Sequence, residues 1–193
     1  ITANIQTSAQ ELSKRAAELE YPIYVKPVKA GSSFGISRIT SPEQLPQAAE
    51  KAFEFDNEIT LEEEIPGREV GCAVLGAEKL ILGRVDLIQS PGLFDYNEKY
   101  NPKESKIYMP APIAPELEER IQQTAAVLYR LLGCSGFARV DMFLTPQNQI
   151  VFNEINTIPG LTAHSRFPNM MKGAGLELKE VMRVLIELSL KNE

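Results

Sequence analysis

The segment 137–155 holds two short apolar runs around a Thr-Pro-Gln-Asn turn, a pattern that predicts a β-hairpin. Side chains alternate between the two faces of a strand, so Arg139 and Asp141 share one face of the first strand, and Glu154 and Asn156 share one face of the second. With the turn centred between positions 147 and 148, Asp141 pairs with Glu154 and Arg139 with Asn156. The sequence therefore predicts four polar side chains on one face of an otherwise apolar hairpin.

This predicted polar group allows two explanations. Two carboxylates that face each other across a hairpin destabilise it unless a positive charge lies between them. Two carboxylates and an amide are hard oxygen ligands that suit Mg²⁺ bridging to phosphates, and an arginine is at home beside such a cation when a polyanion is bound. Alternatively, Arg139 neutralises the carboxylates as a structural ion pair.

A lysine on an apolar strand precedes a glycine-rich loop near the start of the chain. Lys26 belongs to the strand pattern 21–27, and Gly-Ser-Ser-Phe-Gly follows at 31–35. Backbone N–H groups in such a turn can form an anion-binding nest, to which serine hydroxyls add donors. The loop is not a Walker A motif, because the lysine precedes the glycines and no helix follows directly. A hairpin that covers phosphates and an ordinary turn both stay open.

Three consecutive glutamates occupy positions 62–64, ahead of Ile65 and a Pro-Gly turn. Alternate members of this run point to opposite sides of a strand. Such a run is most often a solvated strand end. At a junction between lobes, carboxylates that accept from an amino group and from ribose hydroxyls would form an adenosine site.

The order of elements favours an α+β fold over repeating βαβ units. Patterns predict helices at 9–20, 41–55, 115–132 and 177–190, a short helical piece near Met170, and further strands at 35–39, 59–65, 69–75 and 80–88. A seam near 62–65 divides an N-terminal lobe, 1–62, from a C-terminal lobe, 63–193. The irregular, proline-containing and aromatic stretch 90–112 is too long for a routine connection and predicts an ordered lid.

Charge and composition exclude several classes of protein. The net charge of −6 argues against a nucleic-acid surface. No apolar run approaches the roughly 20 residues that span a bilayer, and no signal peptide opens the chain. Cys72 and Cys134 lack metal-like spacing, so we expect free thiols in a reducing compartment and a cytoplasmic protein. The first residue, Ile1, leads directly into a helix signal, and we expect a fragment of something longer.

Taken together, these residues resemble the ATP-grasp ligases, specifically the D-alanine–D-alanine ligase family, over almost the whole chain. The resemblance rests on Val-Lys-Pro at 25–27 with the glycine-rich loop, Tyr-Asn-Glu-Lys-Tyr at 96–100, Gly-Phe-Ala-Arg-Val-Asp at 136–141, and Asn-Glu-Ile-Asn-Thr-Ile-Pro-Gly-Leu-Thr-Ala-His-Ser at 153–165. It implies the ATP-grasp fold: two α+β lobes, built of antiparallel sheets and helices, that enclose a nucleotide site.

The resemblance also implies roles for individual residues. The ATP contacts it implies are Lys26, Ser32, Ser33, Glu62, Ile65, Glu69, Lys99 and Asn153. The implied ligands of two Mg²⁺ ions, for which Mn²⁺ is a possible substitute, are Asp141, Glu154 and Asn156. Arg139 and the Gly160 N–H would stabilise an oxyanion, and Ser165 would receive the carboxylate of the second amino acid. Tyr100, on the lid, would hydrogen-bond with Ser32 and with an acidic residue of an N-terminal domain.

The implied reaction joins two D-alanines through an acyl phosphate to give the peptidoglycan precursor dipeptide, in a protein expected to be a homodimer at full length. The N-terminal domain of the family is absent, so we expect no ligase activity from this chain alone. Glu63 stands where the family carries an adenine-edge lysine. Arg166 resembles the vancomycin-resistance branch, and Tyr100 argues against D-lactate, which leaves D-serine as an alternative acceptor. An ATP-grasp enzyme for another acid and amine, and a non-catalytic nucleotide-binding module, are the rival functions.

Overall fold

The computed structural model describes residues 1–31, 33–89 and 106–191. Its helices are α1 Ala9–Ala16, α2 Leu45–Phe53, α3 Pro115–Leu131, α4 Arg166–Gly173 and α5 Leu178–Lys191. Its strands are β1 Thr2–Asn4, β2 Ile23–Pro27, β3 Ser37–Ile39, β4 Glu58–Glu63, β5 Arg68–Gly76, β6 Leu80–Leu82, β7 Asp86–Gln89, β8 Lys106–Tyr108, β9 Gly136–Leu144 and β10 Ile150–Asn156. Antiparallel sheets with helices confirm the predicted α+β class.

The described residues form two compact units, and the first is Ile1–Ile65. Its sheet has the strand order β1-β4-β2-β3, with antiparallel neighbours. One face of the sheet is apolar and packs on α1 and α2 around Ile23, Val25 and Leu61. Helix α1 begins where predicted, because the Ser8 hydroxyl accepts the N–H of Glu11 at 3.2 Å. The opposite face of the sheet is left to polar side chains.

The second unit begins at Pro66 and is built on a larger sheet. Its main path runs β10-β9-β5-β7-β8, and β6 also pairs with β5. Helix α3 covers one face of this sheet through Ile121, Ala125 and Tyr129. Helices α4 and α5 cover part of the other face, where Phe167 and Met170 pack on Ala73 of β5. The division into lobes 1–62 and 63–193 stays a prediction.

Three stretches differ from the sequence-based expectations. Strand β1 was not predicted, because three residues are too short for periodicity to detect. The single strand predicted at 80–88 is two, since Gly83, Arg84 and Val85 interrupt it between β6 and β7. Within the stretch 90–112, which was predicted to be irregular, residues 106–108 form β8 on the outer side of β7; residues 90–105 lie outside the described ranges.

The hairpin of β9 and β10 pairs the predicted residues, but a β-bulge, and not a regular ladder from the turn, produces this register. Near the turn, Ile150 pairs with Leu144. Continued unchanged, that register would place Glu154 opposite Val140. A β-bulge at Asn153 inserts one residue and restores Glu154 opposite Asp141. The predicted pairing is therefore confirmed, while the assumed turn centre was wrong by half a residue.

Two further expectations concern membrane-spanning segments and the two cysteine thiols. Within the described ranges, no helix combines the length and apolar character that a bilayer crossing requires. Cys72 is buried, Cys134 is partly buried, and both are free thiols, as predicted.

Candidate active site

Four residues form a row across the sheet of the second unit. Asp86 on β7 pairs with Gly71 on β5, Gly71 pairs with Asp141 on β9, and Asp141 pairs with Glu154 on β10. Paired residues of neighbouring strands point to the same face. This row, Asp86–Gly71–Asp141–Glu154, therefore presents three carboxylates and one empty side-chain position on a single face. We call it the carboxylate row.

Arg166 occupies the space that Gly71 leaves in the carboxylate row. Its guanidinium donates to both Asp86 carboxylate oxygens, from Nε at 2.7 Å and from Nη2 at 2.8 Å. The same group lies 3.3 Å from Asp141 and donates to Glu69 at 3.2 Å. A Cβ on residue 71 would stand 2.5 Å from Nη2 of Arg166. Glycine at this position is therefore what allows the arginine to lie between the two aspartates.

The charges in this cluster are strongly buried. Side-chain exposure is 0% for Asp86, 1% for Asp141 and 10% for Arg166. Burial acts to lower the pKa of Arg166, but the charges of Asp141 and Asp86 hold that pKa well above its ordinary value. The guanidinium consequently stays charged.

Arg139, two residues before Asp141 on β9, also binds the Asp141 carboxylate. Its Nε lies 2.8 Å and 3.0 Å from the two carboxylate oxygens, and Nη2 lies 2.7 Å from Oδ2. Asn156 pairs with Arg139 across the hairpin, so it shares this face. The predicted four-residue group is thus assembled, with Arg139 in the ion pair that the sequence left open. Glu154 is exposed, whereas the side chain of Asp141 is buried.

Gly160 and Ser165, two predicted substrate-binding residues, lie side by side. A Cβ on Gly160 would stand 2.7 Å from the Ser165 hydroxyl. That hydroxyl accepts the N–H of Thr162 at 3.2 Å and lies 2.8 Å from the Thr162 hydroxyl. Ser165 is the residue before α4, so Arg166 is the first residue of that helix. The segment that holds Gly160 and Ser165 therefore leads directly into the arginine of the carboxylate row.

In the first unit, Lys26 and Glu62 lie together on the polar face of the sheet. Lys26 Nζ is 2.5 Å from Glu62 Oε2, and the Thr60 hydroxyl donates to Glu62 Oε1 at 3.2 Å. Glu63 points to the other side and accepts the backbone N–H of Glu20 at 2.9 Å. The alternation predicted for the glutamate run is confirmed.

The end of that run is fixed by a separate ion pair. Glu64 accepts from Arg38 at 3.0 Å and 2.6 Å. The hydrogen bond from Arg38 lowers the pKa of Glu64 below its ordinary value, against a weaker opposing effect of burial. Ile65 is partly buried at the end of the first unit.

The glycine-rich loop is anchored by an aromatic contact. Phe34 and Phe55 stack with ring centroids 6.2 Å apart. Gly35 has a φ of +73° and lies so close to the Phe55 ring that a Cβ would meet it at 2.6 Å. Ser33 has a φ of 60°, the left-handed region that tight turns use. Of the predicted site residues, Ser32, Lys99 and Tyr100 lie outside the described residues.

The sequence profile of the family described as D-Ala D-Ala ligase C-terminus matches residues 2–187. The chain belongs to this ligase family. It is 44% identical over 182 residues to the vancomycin/teicoplanin A-type resistance protein VanA of Enterococcus faecium, covering 91% of this chain and 53% of VanA. It is 42% identical over 177 residues to D-alanine–D-alanine ligase A of Escherichia coli K12, covering 91% and 49%.

The solved structure of the VanG D-Ala:D-Ser ligase from Enterococcus faecalis superposes with a TM-score of 0.89. The two share 55% sequence identity over 97% of this chain and 55% of VanG. The chain thus spans about half the length of the relatives it matches. The ATP-grasp fold that the sequence motifs implied is confirmed.

The donor set on the hairpin of this ligase-family chain fits a hard divalent cation. Asp141, Glu154 and Asn156 offer carboxylate and amide oxygens on one face. Glu69, Asp86 and Asp141 carry three negative charges against the two positive charges of Arg139 and Arg166, and the exposed Glu154 adds a fourth negative charge. In the part of the chain that the structure describes, no three His, Cys, Asp or Glu side chains cluster as metal ligands.

Sequence reasoning missed Asp86 and Gly71. Asp86 lies in the apolar run Val-Asp-Leu-Ile, and a lone charge inside such a run is the signal that could have found it. Gly71 gives no local signal, because its role depends on a helix that begins 95 positions later. Glu118 lies in the charged run 116–120 of the helix pattern, which by itself is typical of a solvated helix face. It is instead partly buried and binds Arg84 at 2.7 Å and 3.0 Å and the N–H of Val85 at 3.0 Å.

Proposed function

We propose that the protein is an ATP-dependent ligase that joins two D-alanines to give the dipeptide precursor of peptidoglycan. The observation that carries this proposal is the pairing of Asp141 with Glu154 and of Arg139 with Asn156 on one sheet face. That arrangement supplies what phosphoryl transfer to a carboxylate requires: oxygen ligands for a cation and a guanidinium beside them.

In the second unit, we assign Asp141, Glu154 and Asn156 as ligands of Mg²⁺, with two ions per site and Mn²⁺ as a substitute. Bound there, the ions would neutralise the phosphate oxygens of ATP. We assign Asn153, the bulged residue of β10, to nucleotide contact. Glu69 would hold the ribose hydroxyls.

In the first unit, we assign Lys26 and Ser33 to the phosphates and Glu62 to the adenine amino group, with the Ile65 backbone at the adenine edge. The Lys26–Glu62 ion pair must open for both assignments to hold at once, since Lys26 now donates to that carboxylate. Ser32, Lys99 and Tyr100 keep their predicted roles at the phosphates and on the lid.

The proposed reaction has two steps. The carboxylate of the first D-alanine attacks the γ-phosphorus of ATP, forming an acyl phosphate and releasing ADP. The neutral amine of the second D-alanine then attacks the acyl carbon, and the resulting tetrahedral oxyanion collapses with loss of phosphate and a proton. Arg139 and the Gly160 N–H would stabilise that oxyanion. Ser165 would hold the carboxylate of the second substrate.

A coupled assay of ADP release tests the proposal on the full-length protein, with D-alanine as the substrate and Mg²⁺ varied. We expect turnover that requires Mg²⁺ and that Asp141→Asn abolishes. Absence of D-alanine-dependent ADP release would contradict the proposal. Since the chain spans about half of its relatives, we expect nucleotide binding but no ligation from residues 1–193 alone. Dimerisation and a cytoplasmic location are part of the same proposal.

A D-alanine–D-serine ligase is the second candidate function. The 55% identity to VanG, a D-Ala:D-Ser ligase, favours it. The same assay with D-alanine held fixed separates the candidates when D-serine, D-alanine and D-lactate compete as acceptor. A higher kcat/KM for D-serine than for D-alanine would select the second candidate, and a preference for D-lactate would contradict both.

A further inference from the structure

One feature of the second unit is not explained by the assigned roles: a buried arginine that binds carboxylates from three neighbouring strands. Arg166 contacts Asp86 on β7, Glu69 on β5 and Asp141 on β9. Such a cluster is costly to bury, and replacing it with apolar side chains is often neutral or stabilising. Stability alone is therefore a weak explanation for it.

The geometry around Arg166 is specific for a guanidinium. Neighbouring strands lie about 4.8 Å apart, so Asp86 and Asp141, two strands apart, leave a gap of roughly 9–10 Å between their Cα positions. A planar fork with several donors spans this gap, using Nε and Nη2 toward Asp86 and Nη2 toward Asp141. An ammonium group is a point charge and could not bind both aspartates in this way.

Arg166 also joins two parts of the proposed site along the chain. Ser165 and Gly160 lie against each other immediately before it. On the other side, Asp141 is held by Arg139 and Arg166 together, which fixes the plane of its carboxylate. The position of the acceptor-binding segment 160–165 and the position of Asp141 are consequently set by the same guanidinium.

We infer that Arg166, held in place by Asp86 across Gly71, is a positioning residue that couples the acceptor-binding segment to the metal-binding carboxylate of Asp141. This inference rests on the proposed function. Asp86 anchors Arg166: its two carboxylate oxygens accept from two of the guanidinium nitrogens, so Arg166 keeps its orientation when Asp141 binds a cation. Loss of Arg166 or of its anchor should therefore disturb metal binding and acceptor binding together.

The experiment uses the full-length protein with Arg166→Lys and Asp86→Asn, and with Arg84→Lys as a matched control. Arg84 makes a comparable two-point ion pair, to Glu118, in the same unit. Three quantities are measured for each variant: the Mn²⁺ affinity by electron paramagnetic resonance in the presence of a non-hydrolysable ATP analogue, the KM of the acceptor amino acid, and the melting temperature.

We expect Arg166→Lys and Asp86→Asn each to weaken Mn²⁺ binding and to raise the acceptor KM by about tenfold or more, as loss of an outer partner of a metal ligand commonly does. The Arg84→Lys control should lower the melting temperature and change neither constant. Asp86→Asn keeps nearly the same shape and protects the test against failure of Arg166→Lys to fold.

Two results would overturn the inference. If the variants have a lower melting temperature, as the control does, but an unchanged Mn²⁺ affinity and an unchanged acceptor KM, the cluster contributes to stability alone. A raised acceptor KM with unchanged Mn²⁺ affinity would make Arg166 a contact of the acceptor only. If the wild-type protein binds no Mn²⁺ with the nucleotide and forms no dipeptide, the proposed function fails as well, whereas an active wild type with indifferent variants contradicts this inference by itself.

Discussion

Replacing Gly71 with alanine should disrupt the ion pairs of Arg166 with Asp86 and Asp141, because the new methyl group would occupy the space that the guanidinium fills. The added Cβ would stand 2.5 Å from Nη2 of Arg166 and 2.9 Å from an oxygen of both Asp86 and Asp141. These neighbours are side-chain ends, but they are buried and bound to one another, so none can move alone. The substitution therefore has to displace the guanidinium from at least one carboxylate.

The expected cost follows from three contributions. Overpacking of a buried position costs about 1–3 kcal/mol, and separating a buried charge from its partner costs about 3–5 kcal/mol when the partner is lost completely. Partial displacement retains some of that pairing, and alanine stabilises a strand by about 0.5–1 kcal/mol relative to glycine. We expect a net loss of about 2–4 kcal/mol in the unfolding free energy of the second unit.

Hydrogen exchange read by mass spectrometry measures this loss locally, in peptides from β5, β7 and β9. Gly31→Ala is the matched control, because a Cβ there would meet no atom within 4 Å and should change the unfolding free energy little. If Gly71→Ala stays within about 0.5 kcal/mol of the wild type, the size of an ordinary surface substitution, the space over Gly71 is not what holds Arg166.

Three further predictions concern single groups. Burial, followed by the charges of Asp86 and Glu118, raises the pKa of the Cys72 thiol well above its ordinary value. At pH 8 iodoacetamide should therefore modify the partly exposed Cys134 and leave Cys72 unmodified until urea unfolds the protein. Equal rates of modification of the two thiols in the folded protein would contradict this prediction. Burial raises the pKa of Tyr129 to about 12. The protonated hydroxyl of Tyr129 therefore makes its full contribution to folding stability below about pH 10, and that contribution is lost as the pH rises through 12. Absorbance at 295 nm should show a last ionisation step that Tyr129→Phe removes, and an unchanged titration would refute the assignment. Burial acts to raise the pKa of Glu118, but hydrogen bonds from Arg84 and the Val85 N–H lower it below its ordinary value. Glu118→Gln should therefore cost about 1–3 kcal/mol at pH 7, and urea unfolding should show the difference from wild type shrinking as the pH falls below 4.5, whereas a constant difference would show that charge plays no part.

The hairpin illustrates what the sequence alone could predict. Alternation placed Arg139 with Asp141 and Glu154 with Asn156, because a strand has a period of two whatever surrounds it. The register depended on a bulge at Asn153 that no local pattern indicates. Two errors, in the turn centre and in the assumption of a regular ladder, cancelled.

The remaining differences come from contacts between segments far apart in the chain. Glu118 looked solvated because its helix neighbours are charged, yet Arg84 and the backbone of Val85 bury it. Asp86 and Gly71 acquire their roles only when Arg166 is brought over the sheet by the start of α4. Charge and periodicity within a segment predict its own faces, and they say nothing about which distant side chain fills an empty position.

The space above Gly71 also restricts how this protein can diverge. If Arg166 were lost first, Asp86 would remain as a buried negative charge without its counterion; if Gly71 gained a side chain first, the guanidinium would be expelled. Drift at these three positions should therefore proceed by compensatory replacement as a set, with Asp86 neutralised before or together with Arg166. Related proteins that carry an uncharged residue in place of Arg166 are expected to lack the acid at position 86 and to be free to hold a larger residue at position 71.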